Sequence, residues 1–308
     1  MSFLRYFRNN TAINASIRKL IRSGDRIIHN AKRRWRVSGI LDMEFQGLRF
    51  KYFTRSDDGI ADQLFYQTNY QEHNDLALFL QLARSGKVIL DVGANTGLYS
   101  VLSAIANPNA TIYSFEPHPV NENRLKKNIS INNLHNVHPI RKACGNHLGE
   151  IDFFIPASEE ISDSSSAVRS FSESTYEGQI QWKPIKVPQT TLSQFAEEAN
   201  LKQIDLMKVD VESYEVQVFE GAEALLRHFK PIIMCEIFLD DAKQQFFNQL
   251  IERHGYTAYA ILNEGLLRLD NGLATNFTGL NYLFATKRLD GVFSYFRNLD
   301  AIVDELKA

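Results

Sequence analysis

The chain has 308 residues, of which 44% are hydrophobic, so it is long enough to bury a full-sized core as one large domain or two small ones. Its formal net charge of −2 gives no overall reason to expect nucleic acid as a partner. The two cysteines, Cys144 and Cys235, exclude a disulfide framework and a zinc site with four cysteine ligands, and they predict reduced core thiols in a cytoplasmic protein.

The first 36 residues are a basic arm on an otherwise acidic chain. They hold ten Lys or Arg and one acid, Asp25, a local charge of +9 that leaves −11 for the remaining residues. Apolar residues recur there at helical spacing, so residues 1–40 are predicted to be a basic amphipathic arm. Such an arm, over residues 1–36, is suited either to peripheral contact with an anionic membrane surface or to packing on its own domain or a partner subunit. No apolar run reaches the roughly 18 residues that would predict a membrane span.

Beyond the arm, short apolar strands alternate with helices. Residues 41–72 are predicted to be a small extension with a hairpin, since LDMEFQGLRFKYF (41–53) alternates apolar and polar side chains. VILDV, TIYSF, IDLMKVDV and PIIMCEIFL alternate with helices through residues 73–290, which predicts an α/β fold with a doubly wound, mostly parallel sheet. The polar, Ser-rich segment 157–183 is predicted to be an inserted loop, and residues 291–308 a C-terminal helix.

A glycine turn follows the first strand of this domain. In LDVGANTG the strand ends at Asp91, and Gly93 and Gly97 bracket a turn that leads directly into a helix. The spacing differs from the GxGxxG of dinucleotide sites, and Asp91 stands where it would repel a phosphate. The expected cofactor is therefore cationic or lacks phosphate at this point, which fits S-adenosylmethionine. Glu116 ends the next strand, where an acid can accept both hydroxyls of a ribose.

The order of several motifs resembles the FkbM family of S-adenosylmethionine-dependent methyltransferases. Over about residues 60–290 these motifs are LDVGANTG, FEPHP, KACGNHLGEIDFFIP, TTLSQF, MKVDVESYEVQVFEGA and PIIMCEIF. The resemblance implies a Rossmann-like class I methyltransferase fold with a seven-stranded sheet whose last strand is antiparallel. It also implies methyl transfer to oxygen, commonly on sugars, polysaccharides or other secondary-metabolite hydroxyls. By motif position it implies cofactor contacts at Asp91, Gly93, Ala94, Asn95, Gly97, Glu116, Pro117 and Ala143.

Three acids are expected at the acceptor end of the site. Asp210 and Glu212 end the fourth strand and Glu236 ends the fifth, and neighbouring strand ends in an open α/β sheet converge on one ligand site. A hydroxyl acceptor benefits from a general base or a metal that lowers its pKa. We therefore predict that these acids are catalytic, with Asp210 as the base or the group that holds the hydroxyl and Glu212 as its helper. A hard cation such as Mg²⁺ is an alternative that is not favoured, and Glu212 has the further alternative of capping the next helix.

Three further residues near these motifs, Glu215, Lys208 and His118, are expected to have other roles. Glu215 stands near the start of a helix predicted over residues 214–229, and its place opposite the apolar stripe predicts a solvated side chain. Lys208 is expected to pair with one of the acids and to be structural rather than catalytic. His118 is expected either to contact the adenosine or to be a structural side chain.

Three residues depart from the pattern of the resembling family. Ser213 replaces its usual glycine, Ser193 a frequent acid, and Phe238 a frequent histidine. Ser213 is expected to narrow the space near the transferred methyl, and Phe238 removes a side chain that would serve as base or ligand. None of the three lies in the cofactor motifs, so the departures concern the acceptor rather than S-adenosylmethionine.

These patterns together predict an S-adenosylmethionine-dependent O-methyltransferase with a small-molecule or glycan acceptor. A nucleic-acid or protein methyltransferase is one alternative, but the acidic body would repel a phosphate backbone, so no nucleic-acid partner is expected. A non-catalytic assembly subunit that keeps the fold is the other, because of Ser213 and Phe238. The sequence leaves the acceptor hydroxyl and the oligomeric state open.

Overall fold

The computed structural model describes residues 14, 16, 37–55, 59–66, 73–157, 166–168, 181–262, 265–274 and 281–286. The predicted basic arm, apart from Asn14, Ser16 and its last four residues, lies outside the described residues, as do most of the inserted loop and the whole predicted C-terminal helix. Those predictions therefore have no structural counterpart to compare.

The described elements follow the alternation that the sequence predicts. The strands are β1 (Ser38–Phe45), β2 (Leu48–Arg55), β3 (Val88–Val92), β4 (Thr111–Phe115), β5 (Val137–Ile140), β6 (Ala143–Cys144), β7 (Gly149–Pro156), β8 (Trp182–Thr190), β9 (Leu206–Val209), β10 (Ile232–Glu236), β11 (Thr257–Ile261), β12 (Leu266–Arg268) and β13 (Asn281–Ala285). The helices are α1 (Gly59–Tyr66), α2 (His73–Ala83), α3 (Leu98–Ala106), α4 (Pro119–Ile131), α5 (Leu192–Glu198), α6 (Glu215–Gly221), α7 (Glu223–Phe229) and α8 (Asp241–His254).

An eight-stranded sheet is the centre of the fold, in the order β12-β11-β13-β10-β9-β3-β4-β5. The five strands from β10 to β5 are parallel, whereas β13 runs antiparallel to both of its neighbours. The predicted doubly wound, mostly parallel sheet is confirmed, as is the antiparallel last strand. The count of seven strands was wrong, because the three-residue strand β12 adds an antiparallel edge to β11 and is too short to show a period in the sequence.

Helices cover both faces of this sheet, which explains why its central strands are almost wholly apolar. Every residue of β9 is buried, and β3 is buried from its second residue onward. On one face Phe79 of α2 and Val101 of α3 join the core, and on the other Phe219 of α6 and Phe247 of α8 do so. Each fully buried side chain of this size contributes about 1.5–3 kcal/mol.

The extension before residue 73 is docked on the main domain. Strands β1 and β2 form the antiparallel hairpin that the alternation predicts. Asn128, on α4, and Asn132, at its C-cap, accept the backbone N–H groups of Phe53 and Lys51 at 2.7 and 2.8 Å. These side chains satisfy the outer edge of β2, so the hairpin is continuous with the domain instead of presenting an open strand edge.

A second sheet of three strands, in the order β6-β8-β7, adds to the domain after β5. Strand β7 was predicted, but β8 was not: Trp182 and Lys183, assigned to the inserted loop, begin it. The helix predicted over residues 214–229 is instead two short helices, α6 and α7, joined at Ala222. A Cβ on Gly221 would lie 1.9 Å from the carbonyl oxygen of Gly145, so close contact with the residue after β6 accompanies this break.

Within the part of the chain that the structure describes, no helix combines the length and apolar character needed to cross a membrane.

Candidate functional site

A cavity of about 350 Å³ opens where β3, β4, β9 and β10 end. This is the edge of an open α/β sheet at which ligands are expected. The predicted site residues that border it are Asp91, Gly93, Ala94, Asn95, Glu116, Pro117, Ala143, Asp210, Glu212 and Glu236. One cavity therefore brings together the predicted cofactor residues, which we call the cofactor end, and the three predicted catalytic acids, which we call the acceptor end.

Gly93 joins the two ends of the cavity. Its φ is +84°, in the left-handed region, and a Cβ there would lie 1.7 Å from the carbonyl oxygen of Asp210. Gly93 and Ala94 donate their backbone N–H groups to the carbonyl of Phe115 at 3.0 and 2.9 Å. The turn after β3 is thus held against the ends of β4 and β9, and only glycine permits that approach.

Gly97 does not border the cavity, so the structure does not place it as the predicted cofactor contact. It precedes α3 with φ +91°, and a Cβ there would lie 2.3 Å from Cδ1 of Leu125 on α4. The requirement for glycine at this position comes from the close packing of α3 on α4. Its effect on the site is indirect, through the orientation of the turn.

Two buried oxygens at the cofactor end have no hydrogen-bond partner among the described residues. They are Oδ1 of Asp91 and Oδ1 of Asn95. The other oxygen of Asp91 accepts a hydrogen bond from the Ser100 hydroxyl at 2.5 Å, which fixes the carboxyl. Burial raises the pKa of Asp91, and the positive charge of Lys208 opposes that rise. Both unpartnered atoms are acceptors, so the turn suits a ligand that brings donors, such as an ammonium group.

Glu116 is oriented by backbone donors on both of its oxygens. The N–H groups of Asn95 and His118 each lie 2.8 Å from the carboxylate. Burial raises the pKa of Glu116 to about 7, although both backbone hydrogen bonds favour the charged form. A carboxylate held in this way at the end of β4 fits the predicted role of accepting two ribose hydroxyls.

His118 is a helix cap. Its Nδ1 accepts the backbone N–H groups of Val120 and Asn121 at 3.1 and 3.4 Å, at the start of α4. The side chain does not border the cavity, and burial lowers its pKa to about 4, so the ring is neutral. Of the two roles expected for His118, the structure supports the structural one.

The acceptor end is a cluster of coupled charges. Lys208 is 7% exposed and donates to Oδ2 of Asp210 at 2.7 Å, as the expected pairing requires. Burial, followed by the charges of Asp210 and Glu212, raises the pKa of Glu236 well above its usual range. Glu236 is therefore protonated at neutral pH and shares a hydrogen bond with Asp210. The raised pKa of Glu236 depends on acids that follow the neighbouring strand β9, which the sequence pattern could not show.

Within the described ranges, no group of three or more His, Cys, Asp or Glu side chains has the arrangement of a metal site. The divalent cation, which was an alternative but not favoured, stays an untested prediction.

The turn after β9 has an unusual backbone. Glu212 and Ser213 have φ angles of +50° and +75°, so two consecutive residues with side chains occupy the left-handed region. The glycine that the resembling family has in place of Ser213 is explained by this conformation. The departure therefore bears on backbone strain, and its expected effect on the space beside the methyl group stays a prediction.

Glu215 braces this turn and is not solvated. It is 1% exposed, accepts the backbone N–H of Ser213 at 2.7 Å, and pairs with Lys243 of α8 at 2.9 Å. The sequence prediction was wrong because α8 packs over the face of α6 that helical periodicity marks as polar. A buried ion pair between Glu215 and Lys243 thus connects the turn after β9 to α8.

Part of the Ser-rich segment covers the acceptor end. Ser166 donates its hydroxyl to the carbonyl of Glu212 at 2.5 Å, and Ala167 borders the cavity. The backbone N–H of Phe154, in β7, donates to the carbonyl of Ser166 at 2.8 Å, which anchors the segment on the second sheet. Ser166 and Ala167, from the insert, are therefore part of the site.

Several residues that border the cavity were not predicted to do so. Tyr52, from the hairpin, contacts Thr96 through their hydroxyl oxygens, 2.6 Å apart, and Gln63 comes from α1. Tyr99 borders it as well, with the Lys208 ammonium 4.5 Å from its ring centroid. The only local signal was the alternation in β2, which predicts a buried face at Tyr52 but not what that face contacts.

Comparison with known proteins agrees with this architecture. Residues 91–258 match the family model described as methyltransferase FkbM domain. The hexuronic acid methyltransferase AglP of Haloferax volcanii is 26% identical over 163 residues, which cover 53% of this chain and 61% of AglP. The 2-O-methyltransferase NoeI of Sinorhizobium fredii is 28% identical over 152 residues, 47% of this chain and 61% of NoeI. "Methyltransferase 1" of Beauveria bassiana is 26% identical over 186 residues, 54% of this chain and 71% of that protein.

Among solved structures, a methyltransferase FkbM from Methylobacillus flagellatus is 13% identical with a TM-score of 0.42, over 74% of this chain and 55% of that one. An O-methyltransferase from Bacillus cereus, in complex with SAH, is 14% identical with a TM-score of 0.38, over 70% of this chain and 80% of that one.

Proposed function

Because the chain belongs to the FkbM methyltransferase family, we propose that it transfers a methyl group from S-adenosylmethionine to a hydroxyl oxygen of a sugar, polysaccharide or related metabolite. The observation that carries this proposal is the single cavity with acceptor atoms for a cation at one end and a coupled acid cluster at the other. The chemistry of each end supports one half of the reaction.

The residues of the cofactor end fit S-adenosylmethionine. The unpartnered oxygens of Asp91 and Asn95 suit its ammonium group, and Glu116 suits its ribose hydroxyls. Pro117 and Ala143 border the cavity beyond Glu116, where the adenine is proposed to lie. When bound, the cofactor supplies an electrophilic methyl group on a sulfonium, whose positive charge is compatible with the acidic surroundings.

The acceptor end suits a hydroxyl nucleophile. In our proposal Asp210 accepts the hydroxyl proton and Glu212 orients the acceptor, while Lys208 keeps Asp210 in place at 2.7 Å. The protonated Glu236 stabilises negative charge on Asp210 through their shared hydrogen bond. Methyl transfer is an in-line displacement, so holding the oxygen in line with the methyl group supplies much of the rate.

An exposed aromatic ring supports a sugar acceptor. Phe238 is 37% exposed and borders the cavity two residues after Glu236. A flat apolar ring beside carboxyl groups can pack against the C–H face of a pyranose while the acids accept its hydroxyl protons. The names of two relatives, a hexuronic acid methyltransferase and a 2-O-methyltransferase, are in keeping with this class.

Incubation with S-adenosylmethionine labelled on the methyl group tests the reaction. We expect label in the glycan or small-metabolite fraction of the source cell, and none in nucleic acid or protein. Label in nucleic acid or protein would contradict the proposed acceptor class but would still be consistent with methyltransferase activity. Calorimetric titration that shows no cofactor binding below millimolar concentration would favour a non-catalytic assembly subunit instead.

The role of Phe238 has its own control. Phe238→Ala should weaken acceptor binding and leave cofactor affinity unchanged. Leu148→Ala removes another exposed apolar side chain, 57% exposed and away from the cavity, and should change neither. Equal acceptor affinity in the two variants would remove the aromatic ring from the proposal.

The basic arm is proposed as a peripheral contact with the anionic cytoplasmic face of a membrane. Its charge of +9 over residues 1–36 supports this, because each Lys or Arg near such a surface contributes about 1 kcal/mol. Deletion of residues 1–36 should reduce partition onto anionic vesicles. Unchanged partition and unchanged activity would contradict the proposal.

A further inference from the structure

A second groove lies between β2 and α4. It encloses about 450 Å³ and is bordered by Phe53, Arg55, Val120, Asn123, Arg124 and Lys127. Three of these residues are cationic, and no described residue that borders the groove is acidic. The groove therefore differs in charge from the methyl-transfer cavity, whose acceptor end is acidic.

The folding of the hairpin onto α4 produces this groove. Alternation in β2 directs Tyr52 into the methyl-transfer cavity, whereas Phe53 and Arg55 border the groove. Arg124 and Lys127 are three residues apart in α4, so they share one helical face. Because Asn128 accepts the backbone N–H of Phe53 at 2.7 Å, strand and helix are fixed to each other and the groove is preformed.

The cations in the groove are packed closely. The ammonium of Lys127 lies 3.3 Å from the centroid of the Phe53 ring, and Arg124 is 3% exposed. Burial and the positive charge of Arg55 lower the pKa of Lys127. The like charges of Arg55 and Lys127 repel each other, and a bound anion would relieve that repulsion.

Other cations on the same two elements are paired with acids. Arg49 of β2 pairs with Glu44 at 3.5 Å, and Lys126 of α4 pairs with Glu122. No described acid pairs in this way with Arg55 or Lys127. Arg55 and Lys127 thus differ from Arg49 and Lys126, whose charges are neutralised by acids.

We propose that this groove binds a phosphate-type oxyanion, carried by a lipid headgroup or by a soluble phosphate ester. A guanidinium presents two parallel N–H donors that match phosphate oxygens, and an ammonium adds a point charge. The Asn123 amide offers a further donor at the rim. This groove is separate from the methyl-transfer cavity. The proposed anion binding does not depend on whether the methyl acceptor is a sugar.

The first experiment titrates the full-length protein with inorganic phosphate at constant ionic strength. Arg55→Gln combined with Lys127→Gln removes two groove charges, and Arg49→Gln combined with Lys126→Gln removes two charges from the same elements outside the groove. We expect the groove pair of substitutions to weaken phosphate binding about tenfold or more and the control pair to change it less than twofold. Unchanged S-adenosylmethionine affinity in both variants would show that they are folded.

Equal phosphate affinity in the two variants, or no binding by the unsubstituted protein at tens of millimolar, would overturn the proposal. A second experiment identifies the carrier. Stronger partition onto phosphatidylcholine vesicles that contain phosphatidic acid, lost only in the groove variant, would assign a lipid headgroup. Binding of glycerol phosphate that is lost only in the groove variant, with equal vesicle partition in both, would assign a soluble ester. The basic arm is present in every variant, so its contribution cancels.

Discussion

The cofactor end and the acceptor end of the methyl-transfer cavity are built in different ways. The cofactor end comes from two adjacent strand–helix units, and backbone N–H groups orient its key acid, Glu116, at 2.8 Å. The acceptor end is assembled from the turns after β9 and β10, from Ser166 in the inserted segment and from Lys243 in α8. Its acids are positioned by other side chains and by one another.

Because the two ends are built differently, a substitution should have a different effect at each of them. A backbone donor stays in place when a side chain changes, so the cofactor end should respond locally. At the acceptor end Lys208 pairs with Asp210, and both charges act on the pKa of Glu236, so the loss of one side chain changes the surroundings of the others. Substitutions at the two ends should therefore separate cofactor affinity from the rate of methyl transfer.

Asp210→Asn should have the largest effect on the rate. The amide keeps the shape of the side chain but cannot accept the hydroxyl proton, so methyl transfer should fall by about 10²–10⁴-fold. Cofactor affinity should change by less than about threefold, or 0.7 kcal/mol. Single-turnover kinetics and calorimetry measure the two quantities. A parallel loss in both would show that the two ends are not separable.

Gly93→Ala should disturb both the cofactor end and the acceptor end of the cavity, because Gly93 lies against the backbone of Asp210. The added Cβ would lie 1.7 Å from the Asp210 carbonyl oxygen, and we expect about 3 kcal/mol of destabilisation in urea unfolding. Gly47→Ala is the matched control, since Gly47 has a similar φ of +76° and open space around it. It should cost only about 1 kcal/mol of left-handed strain. An equal loss of unfolding free energy in the two variants would mean that Gly93 is not tightly packed against Asp210.

Cofactor binding should strengthen as pH rises through about 7, the raised pKa of Glu116. Ribose hydroxyls donate to the charged carboxylate, so the dissociation constant of the cofactor should fall about tenfold between pH 6 and pH 8.

The unfolding free energy of the unliganded protein should instead decrease as pH rises. A carboxyl with a raised folded-state pKa stabilises the fold below pH 4.5, and that contribution is lost as pH rises towards 7.

Glu116→Gln is the control for this titration. It should bind the cofactor more weakly than the unsubstituted enzyme at pH 8 and with little dependence on pH. A pH dependence that persists in Glu116→Gln would have to come from another group, with Asp91, whose pKa is also raised by burial, as the next one to substitute.

Ser213→Gly should have the smallest effect. Ser213 has φ +75°, so glycine relieves left-handed strain, and we expect a gain of about 0.5–1 kcal/mol in unfolding free energy. Cofactor affinity should not change, whereas acceptor preference or rate should. Ser130→Gly, on an exposed face of α4, should instead lose about 0.5 kcal/mol. A rate and acceptor preference equal to those of the unsubstituted enzyme would mean that this turn does not face the acceptor.

The fold class and the outline of the site were readable from the sequence. Parallel strands buried on both faces leave short apolar runs, and a glycine turn after such a run indicates close backbone approach, as at Gly93. The convergence of Asp210, Glu212 and Glu236 also followed, because strand ends in a parallel sheet meet at one edge. These are properties of the chain taken a few residues at a time.

Only the tertiary structure decided the rest. Strand β12 is too short to show a period, Tyr52 reaches the cavity because the hairpin docks on α4, and Glu215 is buried because α8 covers it. The protonated state of Glu236 likewise depends on charges from other strands. Periodicity reports which side of an element is apolar, but burial and pKa depend on what segments far apart in the chain bring to the same place.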